Sequence, residues 1–340
     1  MIPRTVPTWQ SQTWQEQLMD VIRDPVELCD VLALDFGDFK QRYLDEMAVA
    51  GQNFELRVPR AFVRRMAKGD WRDPLLLQVL PQGRELLELP GFDADPLAES
   101  EANRTPGIIQ KYHGRVLLLI SSACAIHCRY CFRRHFPYDD HRQSRGEWQA
   151  ALETIAADPS ITEVIYSGGD PLSAPDRQLS WFTEQIARIP HVNTLRVHTR
   201  LPIVIPDRID GQCLSWLDQP RLKVVVVLHS NHPNEIDAEV AASIGKIRAL
   251  GILVLNQAVL LKGINDRVET LATLSEKLFR LGILPYYLHL LDKVRGAGHF
   301  DLPEADAIAL HTALKAQLPG YLTPKLAKEL PGATAKIVLG

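Results

Sequence analysis

The spacing of hydrophobic residues changes near residue 110 and divides the chain into two regions. In residues 1–110, apolar side chains recur every three or four positions, as they do on one face of a helix. The clearest examples are Trp14, Leu18, Val21 and Ile22, followed by Leu28, Val31, Leu32 and Leu34. This spacing predicts an N-terminal helical region that forms a cap.

From residue 116 onward, short apolar runs rich in β-branched residues alternate with amphipathic segments. The runs are residues 116–120, 163–166, 194–197, 222–228, 252–258 and 284–290. Helical spacing lies between them at residues 148–157, 179–189, 236–250 and 268–281. Continuous apolar strands joined by helices predict a parallel sheet that is covered on both faces. We therefore expect an α/β fold with six βα units, either a partial barrel or a wound sheet.

Polar residues follow each predicted strand. In order, they are three cysteines (124, 128 and 131), residues 167–172 (SGGDPL), residues 198–200 (HTR), residues 229–232 (HSNH), Asn256 with Gln257, and Asp292. Barrels and wound sheets both bind their ligands at the carboxyl ends of the parallel strands. The pattern therefore predicts that these side chains share one ligand-binding rim.

Composition excludes several classes of protein. The chain has 340 residues, of which 46% are hydrophobic, and its net charge is −3. There is no basic stripe of the kind that binds nucleic acid, and no run of 18 apolar residues that would span a membrane. The first residues lack the apolar core of a secretory signal. We therefore expect a cytoplasmic protein.

Three of the five cysteines lie within eight residues, in the order Cys124, Cys128 and Cys131. Iron–sulfur clusters usually take four cysteine ligands. Three thiolates can bind three irons of a 4Fe–4S cluster and leave the fourth iron open to the amino and carboxylate groups of S-adenosylmethionine. Zinc is the alternative, because His127 and His135 lie close by and zinc takes four ligands. We expect Cys29 and Cys213 to be small buried residues.

The segment Ser167-Gly168-Gly169-Asp170 supports the first alternative. Two adjacent glycines allow the backbone to approach a ligand closely. Backbone carbonyls and the aspartate could then hold the ammonium group of S-adenosylmethionine. At the end of the second strand, next to a cysteine loop on the first, this segment is predicted to bind that cofactor.

These motifs together resemble the lysine 2,3-aminomutase family of radical S-adenosylmethionine enzymes. The resemblance spans about residues 105 to 336. It is carried by residues 111–116 (KYHGRV), 124–134 (CAIHCRYCFRR), 167–172, 229–236 (HSNHPNEI), 256–266 (NQAVLLKGIND) and 285–300 (PYYLHLLDKVRGAGHF). It implies a helical cap at 1–110, a radical-enzyme (β/α)6 core at 111–300 and a C-terminal segment at 301–340.

The resemblance also implies pyridoxal 5′-phosphate as a second cofactor, which would make the migration of an amino group accessible to radical chemistry. The implied pyridoxal lysine is Lys336, with Lys325 and Lys328 as alternatives, and Lys111, Tyr112 and Arg115 match the pyridoxal-binding segment. Arg200, His229 and Gln257 are implied neighbours of S-adenosylmethionine. For the substrate, the resemblance implies that Arg133 binds the carboxylate and that Asp292 and Glu329 bind the distant ammonium group.

Within the family, the chain is most similar to the bacterial branch that makes (R)-β-lysine for the modification of elongation factor P. The implied partners are free L-lysine, a reductant such as flavodoxin or ferredoxin, and a functional link to elongation factor P and its lysine ligase. A homo-oligomer is possible. The alternatives are an aminomutase for arginine or for lysine catabolism, and a zinc-binding protein without catalysis.

Overall fold

The structure is a computed structural model that describes residues 13–37, 40–99, 107–136 and 145–339. Parts of the predicted N-terminal region, residues 1–12, 38–39 and 100–106, lie outside the described residues. Residues 105–106, where the family resemblance begins, are among them.

A nine-stranded sheet forms the centre of the molecule, and its strands follow one another in sequence order from β3 to β11. The strands are β3 (Ile108–Ile109), β4 (Arg115–Ser121), β5 (Glu163–Gly168), β6 (Thr194–Thr199), β7 (Lys223–His229), β8 (Leu253–Val259), β9 (Ile283–His289), β10 (Lys325–Lys328) and β11 (Ile337–Val338). Strands β4 to β9 are all parallel. The six predicted strands and the α/β class are confirmed.

Helices cover the sheet between the parallel strands, and four of those described match the predicted segments 148–157, 179–189, 236–250 and 268–281. They are α5 (Arg145–Ala157), α6 (Asp176–Ala187), α7 (Leu201–Val204), α8 (Gly211–Leu217), α9 (Ala238–Ala249), α10 (Val268–Arg280) and α11 (Glu304–Gln317). Leu271, Leu274 and Leu278 form the buried face of α10, at the spacing of an amphipathic helix. These helices exclude water from the sheet, whose strands carry β-branched and leucine side chains into one main core.

The C-terminal segment extends the sheet beyond the six predicted strands. Strand β10 is parallel to β9, and β11 turns back antiparallel to β10, with Lys328 opposite Ile337. The four residues of β10 read KLAK, which is too short and too charged to be recognised as a strand from its pattern. Residues 325–328 and 337–338 therefore belong to the sheet. The limits we give the three domains stay a prediction.

The N-terminal region is only partly helical. Its helices are α1 (Trp14–Met19), α2 (Pro25–Val31), α3 (Lys40–Asn53) and α4 (Arg60–Val63), and residues 64–99 are mainly turns. A small antiparallel pair, β1 (Val21–Ile22) with β2 (Val58–Pro59), was not predicted. Two residues in each strand are too few to produce a period-2 pattern.

The N-terminal region packs directly onto the strand ends of the sheet. The backbone N–H of His127 donates to the carbonyl of Arg57 at 2.9 Å, and that of Arg129 donates to the carbonyl of Gln78 at 2.8 Å. Both donors lie in the loop that carries the cysteines. The cap therefore forms one wall of the rim. No helix among the described residues has the length and apolar character needed to cross a membrane.

Candidate active site

The cysteine loop begins directly after β4, at the rim where the parallel strands end. Cys124, Cys128 and Cys131 are free thiols that are partly exposed. Burial, and then the charge of Cys128, raises the pKa of Cys131 to about 11. Burial also raises the pKa of Cys124, with Cys131, Asp170 and Cys128 adding to the effect. The three thiols therefore lie close enough to influence one another, as shared ligands of one cofactor must.

Glycines are required where β5 ends because the backbone there touches the cysteine loop. Gly168 has a φ of +125°, and a Cβ atom at this position would collide with the carbonyl of Ser121. At Gly169, a Cβ atom would lie 2.6 Å from the carbonyl oxygen of Ala123 and 2.9 Å from Cys124 Sγ. We expected these glycines to approach a ligand. Their first role is to bring the end of β5 against the loop that carries the thiols.

Asp170 holds the strand ends together. Its carboxylate accepts hydrogen bonds from Thr199 Oγ1 at 2.7 Å and from the backbone N–H groups of Leu172, Arg200 and Leu201 at 3.0, 2.7 and 2.9 Å. Burial raises the pKa of Asp170, although these four bonds favour the charged form. The carboxylate is thus committed to the protein. The predicted contact between this group and S-adenosylmethionine stays a prediction.

In this structure the guanidinium of Arg200 is bound by groups of the protein, and its implied place beside S-adenosylmethionine stays a prediction. Nη1 donates to Tyr130 Oη at 2.6 Å and to Cys128 Sγ at 2.7 Å. Nη2 donates to Gln78 Oε1 at 2.8 Å and to Glu235 Oε2 at 3.0 Å. All four terminal N–H groups are therefore engaged, and the guanidinium lies against a predicted cluster ligand.

Arg133 is also paired in this structure. Nε and Nη2 donate to the two carboxylate oxygens of Glu99 at 2.6 and 3.0 Å. Nη1 donates to Ser167 Oγ at 3.0 Å and to the carbonyl of Gly168 at 2.9 Å. The fork that we predicted for the substrate carboxylate holds a carboxylate of the protein. Glu99 was not predicted to have any role.

Lys336 lies at the same rim, just before β11. It forms an ion pair with Glu329, and the pairing of Lys328 with Ile337 places these two residues at opposite ends of one hairpin loop. Burial lowers the pKa of Lys336 to about 8, although the charge of Asp292 acts in the opposite direction. The two alternative lysines point elsewhere, since Lys325 is exposed and Lys328 pairs with Glu304 at 2.5 Å.

Lys111 joins the two carboxylates of this part of the rim. Its Nζ lies 2.9 Å from Glu99 Oε1 and 3.7 Å from Glu329 Oε2. Burial raises the pKa of Asp292 to about 6, against the opposing charges of Lys336 and Lys111. Lys111, Glu99, Glu329, Lys336 and Asp292 therefore form a cluster of alternating charges, which we call the tail cluster.

Arg115 and Tyr112 lie next to the tail cluster. The Arg115 guanidinium carbon is 5.1 Å from the centre of the Tyr112 ring. Nε of Arg115 is buried and has no hydrogen-bond partner. A buried donor without a partner is costly, and a phosphate group would satisfy it. These residues therefore fit the phosphate group that the family resemblance implies for them.

His229 and Gln257 meet across neighbouring strands. Gln257 Nε2 lies 2.9 Å from His229 Nε2, and the two residues are paired in the register of β7 and β8. His198 lies beside them, with its ring 5.9 Å from that of His229. Burial lowers the pKa of His229 to about 3, helped by the charges of Arg200, Arg133 and Lys336. These imidazoles are neutral, so they act as polar but uncharged lining of the rim.

No protein-family model matches the chain. It is 46% identical to the L-lysine 2,3-aminomutase of Haemophilus influenzae over 336 residues, which cover 99% of this chain and 98% of that protein. The Escherichia coli L-lysine 2,3-aminomutase is 45% identical over 339 residues, which cover 98% of this chain and 96% of that protein. The chain belongs to the L-lysine 2,3-aminomutase family. This family consists of isomerases that use a 4Fe–4S cluster, S-adenosylmethionine and pyridoxal phosphate.

More distant members of the family match over a smaller part of their length. The L-lysine 2,3-aminomutase of Clostridium subterminale is 30% identical, over 96% of this chain and 77% of that protein. Among solved structures, Streptococcus suis SuiB has a TM-score of 0.46 at 15% identity, over 64% of this chain and 50% of that one. The latter overlap is partial, and membership in the family rests on the sequence relatives.

Each of the two histidines near the cysteine loop has one ring nitrogen next to a backbone carbonyl. His127 Nδ1 lies 3.0 Å from the carbonyl of Glu55, and His135 Nε2 lies 3.2 Å from the carbonyl of Arg295. Among the described residues, no three His, Cys, Asp or Glu side chains are gathered around a single ion position. Membership in the L-lysine 2,3-aminomutase family, whose members use a 4Fe–4S cluster, is what decides against the zinc alternative.

Four residues of the site were missed in the sequence: Gln78, Glu85, Glu99 and Glu235. Glu85 accepts from Arg129 and from Arg134, with Oε2 2.5 and 2.8 Å from their respective Nη2 atoms. Glu235 is fully buried against Arg200. The sequence did carry a signal. Four arginines, Arg129, Arg133, Arg134 and Arg200, lie near the predicted cofactor, and buried arginines need acidic partners. The sequence does not say which of many acidic residues supply them.

Proposed function

We propose that the chain is an L-lysine 2,3-aminomutase that depends on S-adenosylmethionine and pyridoxal phosphate, and that it makes (R)-β-lysine in the cytoplasm. The observation that carries this proposal is the meeting of Lys336, Asp292 and the Arg133–Glu99 pair at one rim, next to the cysteine loop. Charges of Lys336 and Arg133 both act on Asp292. A carbonyl cofactor requires an amine that anchors it. A diamino acid requires a guanidinium for its carboxylate and a carboxylate for its distant ammonium group.

The three groups of residues have separate roles in this proposal. Cys124, Cys128 and Cys131 hold the cluster, and Ser167, Gly168 and Gly169 line the bound S-adenosylmethionine with His229 and Gln257. Arg115 and Tyr112 hold the phosphate of the pyridoxal, with Lys336 as its covalent anchor. The cluster with S-adenosylmethionine supplies a carbon radical, and pyridoxal phosphate supplies a conjugated system over which the spin of a substrate radical spreads.

Lys336 suits the anchoring role because only a neutral amine attacks a carbonyl. Burial lowers its pKa to about 8, so a useful fraction of the amine is neutral near neutral pH. The charge of Asp292 partly offsets this effect on the pKa, and Glu329 forms an ion pair with the same amine. The ion pair with Glu329 therefore keeps the side chain in position until the cofactor arrives.

The substrate has charges at both ends, and the rim has complements for both. When Glu99 releases the guanidinium of Arg133, that group can bind an α-carboxylate through two parallel hydrogen bonds. Asp292 and Glu329 repel one another unless a cation lies between them, which selects an amino acid with a distant ammonium group. A glutamate substrate would place a second negative charge at these carboxylates. Free L-lysine meets both requirements.

The use of the product is part of the proposal. Similarity over nearly the whole length of the Escherichia coli and Haemophilus influenzae relatives supports the branch of the family that we expected. We therefore propose a functional link to elongation factor P and its lysine ligase, with a flavodoxin or ferredoxin as reductant. A homo-oligomer remains part of the same proposal.

The experiment is an anaerobic assay of the reconstituted protein with L-lysine, S-adenosylmethionine, pyridoxal phosphate and a reductant. Chiral chromatography should detect (R)-β-lysine, and L-arginine offered in parallel should give no β-isomer. A protein that carries iron and sulfide yet forms no β-lysine would contradict the proposed reaction. β-Arginine as the main product would replace lysine as the substrate.

A further inference from the structure

The guanidinium of Arg200 is a charged group that touches Cys128, a predicted ligand of the cluster. Arg200 Nη1 lies 2.7 Å from Cys128 Sγ. Arg200 is buried, so water does not screen its charge. A charge in this position acts strongly on any change in electron number at the sulfur.

The guanidinium is fixed by residues that do not depend on the thiol. Gln78 from the N-terminal region, Tyr130 from the cysteine loop and Glu235 after β7 each bind it. The ring of Phe62 lies under it, with the guanidinium carbon 5.5 Å from the ring centre. Asp170 binds the backbone N–H of Arg200 itself at 2.7 Å. Contacts other than the one with the thiol therefore hold the guanidinium beside Cys128.

Glu235 is fixed in the same way. Its Oε1 accepts from the backbone N–H groups of Asn231 and His232 at 2.9 and 3.0 Å, while Oε2 binds Arg200. The carboxylate is fully buried. Arg200 and Glu235 thus place one positive and one negative charge at fixed and different distances from Cys128, with the positive charge in contact.

We infer that Arg200 sets the reduction potential of the cluster through its hydrogen bond to Cys128, with Glu235 as the opposing charge. This inference rests on the proposed function, because it needs the cluster to be present. The step concerned is the uptake of one electron from a low-potential flavin or iron–sulfur protein. A donor and a positive charge at the thiolate stabilise the state with the extra electron and raise the potential. Arg200 is in this sense a tuning residue.

The test is a potentiometric titration of the reconstituted protein without S-adenosylmethionine, followed by electron paramagnetic resonance of the reduced cluster. Arg200→Gln should lower the ratio of reduced to oxidised cluster at a fixed potential by at least tenfold, which corresponds to about 59 mV for one electron. In Arg200→Lys, which keeps the charge, the same ratio should fall by less. Glu235→Gln should shift the midpoint in the opposite direction, to a higher potential.

Arg64→Gln is the matched control, because it removes an arginine charge at an exposed position that pairs with Glu239 at 3.5 Å. Its midpoint should equal that of the wild type. A merely structural role of Arg200 would not give shifts of opposite sign in Arg200→Gln and Glu235→Gln. Shifts in the same direction, or a loaded Arg200→Gln protein with the wild-type midpoint, would overturn the inference.

Cluster loading separates this inference from the proposed function. Iron and inorganic sulfide are measured in every variant before titration. A wild-type protein that holds neither would contradict the proposed function itself. If Arg200→Gln loses the cluster, the midpoint potentials of Glu235→Gln and Arg200→Lys test the inference instead. A Glu235→Gln midpoint that is not above the wild-type value would then overturn the inference.

Discussion

The two sides of the rim hold their charges in different ways. On the side of the cysteine loop, Asp170, Arg200 and Glu235 are buried and bound to fixed backbone and side-chain groups. In the tail cluster, Lys111, Glu329 and Lys336 have side chains that are 15%, 17% and 22% exposed, and they pair with one another. The charged groups on the cysteine side are already bound by protein groups before a ligand arrives. The tail cluster is held by ion pairs whose partners a charged ligand can replace.

The comparison predicts that changes on the cysteine side affect the binding of every ligand, whereas changes at Lys336 or Asp292 in the tail cluster affect one ligand at a time. Cys131→Ala is the most severe case. It should remove the cluster and reduce formation of β-lysine to background. Iron and sulfide analysis and the anaerobic assay measure this. Cys213→Ala is the control, because Cys213 is buried within the core away from the rim. Cys131→Ala with full iron content would contradict the proposed ligand set.

Lys336→Ala tests the tail cluster next. It should abolish covalent capture of pyridoxal phosphate, measured by borohydride trapping and peptide mass, while iron content stays at the wild-type level. In the wild type, capture should quicken as pH rises through about 8, because the neutral amine is the reactive form. Lys325→Ala, at an exposed position of β10, should behave as the wild type. Trapping on another lysine would reassign the anchor.

Glu99→Gln tests a buried residue of the tail cluster that also binds Arg133 beside the cysteine loop. Burial alone would raise the pKa of Glu99, but Arg133 and Lys111 lower it to about 2. Removal of this charge takes away the carboxylate that Arg133 binds and one of the two carboxylates next to Lys111, which costs about 3–5 kcal/mol of folding free energy. A folded-state pKa below 4.5 means that the stabilisation exists above that pH and is lost as pH falls toward 2.

The measurement is denaturant unfolding of the wild type and Glu99→Gln at several pH values. The difference between the two proteins should shrink as the medium is acidified. Glu304→Gln is a suitable control, since Glu304 pairs with Lys328 in an exposed position. Equal stability of wild type and Glu99→Gln at neutral pH would show that the Arg133 pair contributes nothing to the fold.

Asp292→Asn should have the smallest effect, confined to the substrate. Loss of a charge-assisted bond of about 1.5–3 kcal/mol predicts a KM for lysine that is roughly 10- to 150-fold higher. In the wild type, KM should also rise as pH falls through about 6, since the carboxylate must be charged to bind an ammonium group. Asp306→Asn, on the exposed face of α11, is the control. An unchanged KM would remove Asp292 from the substrate site.

Much of the fold could be predicted because the parallel strands are buried on both faces and therefore read as continuous apolar runs. The cysteine loop, Lys336, Asp292 and Arg133 were predicted as candidates by their positions after strands or by family resemblance, and their roles stay predictions. Strand β10 and the pair β1–β2 were missed, because two to four residues carry no period. Glu99 and Gln78 were missed for another reason. They lie in a stretch rich in turns, where polar residues usually face water.

The hairpin formed by β10 and β11 has a consequence for how this protein can vary. Glu329 directly follows Lys328, and Lys336 directly precedes Ile337. Because Lys328 and Ile337 are paired, the strands fix the positions of Glu329 and Lys336. The residues between them can change in number without moving either end, provided that the strands keep their pairing. A slip of β11 by one residue would turn Lys336 to the opposite face of the sheet. Natural or engineered variants should therefore tolerate a longer loop at residues 330–335 far better than one residue inserted at 337.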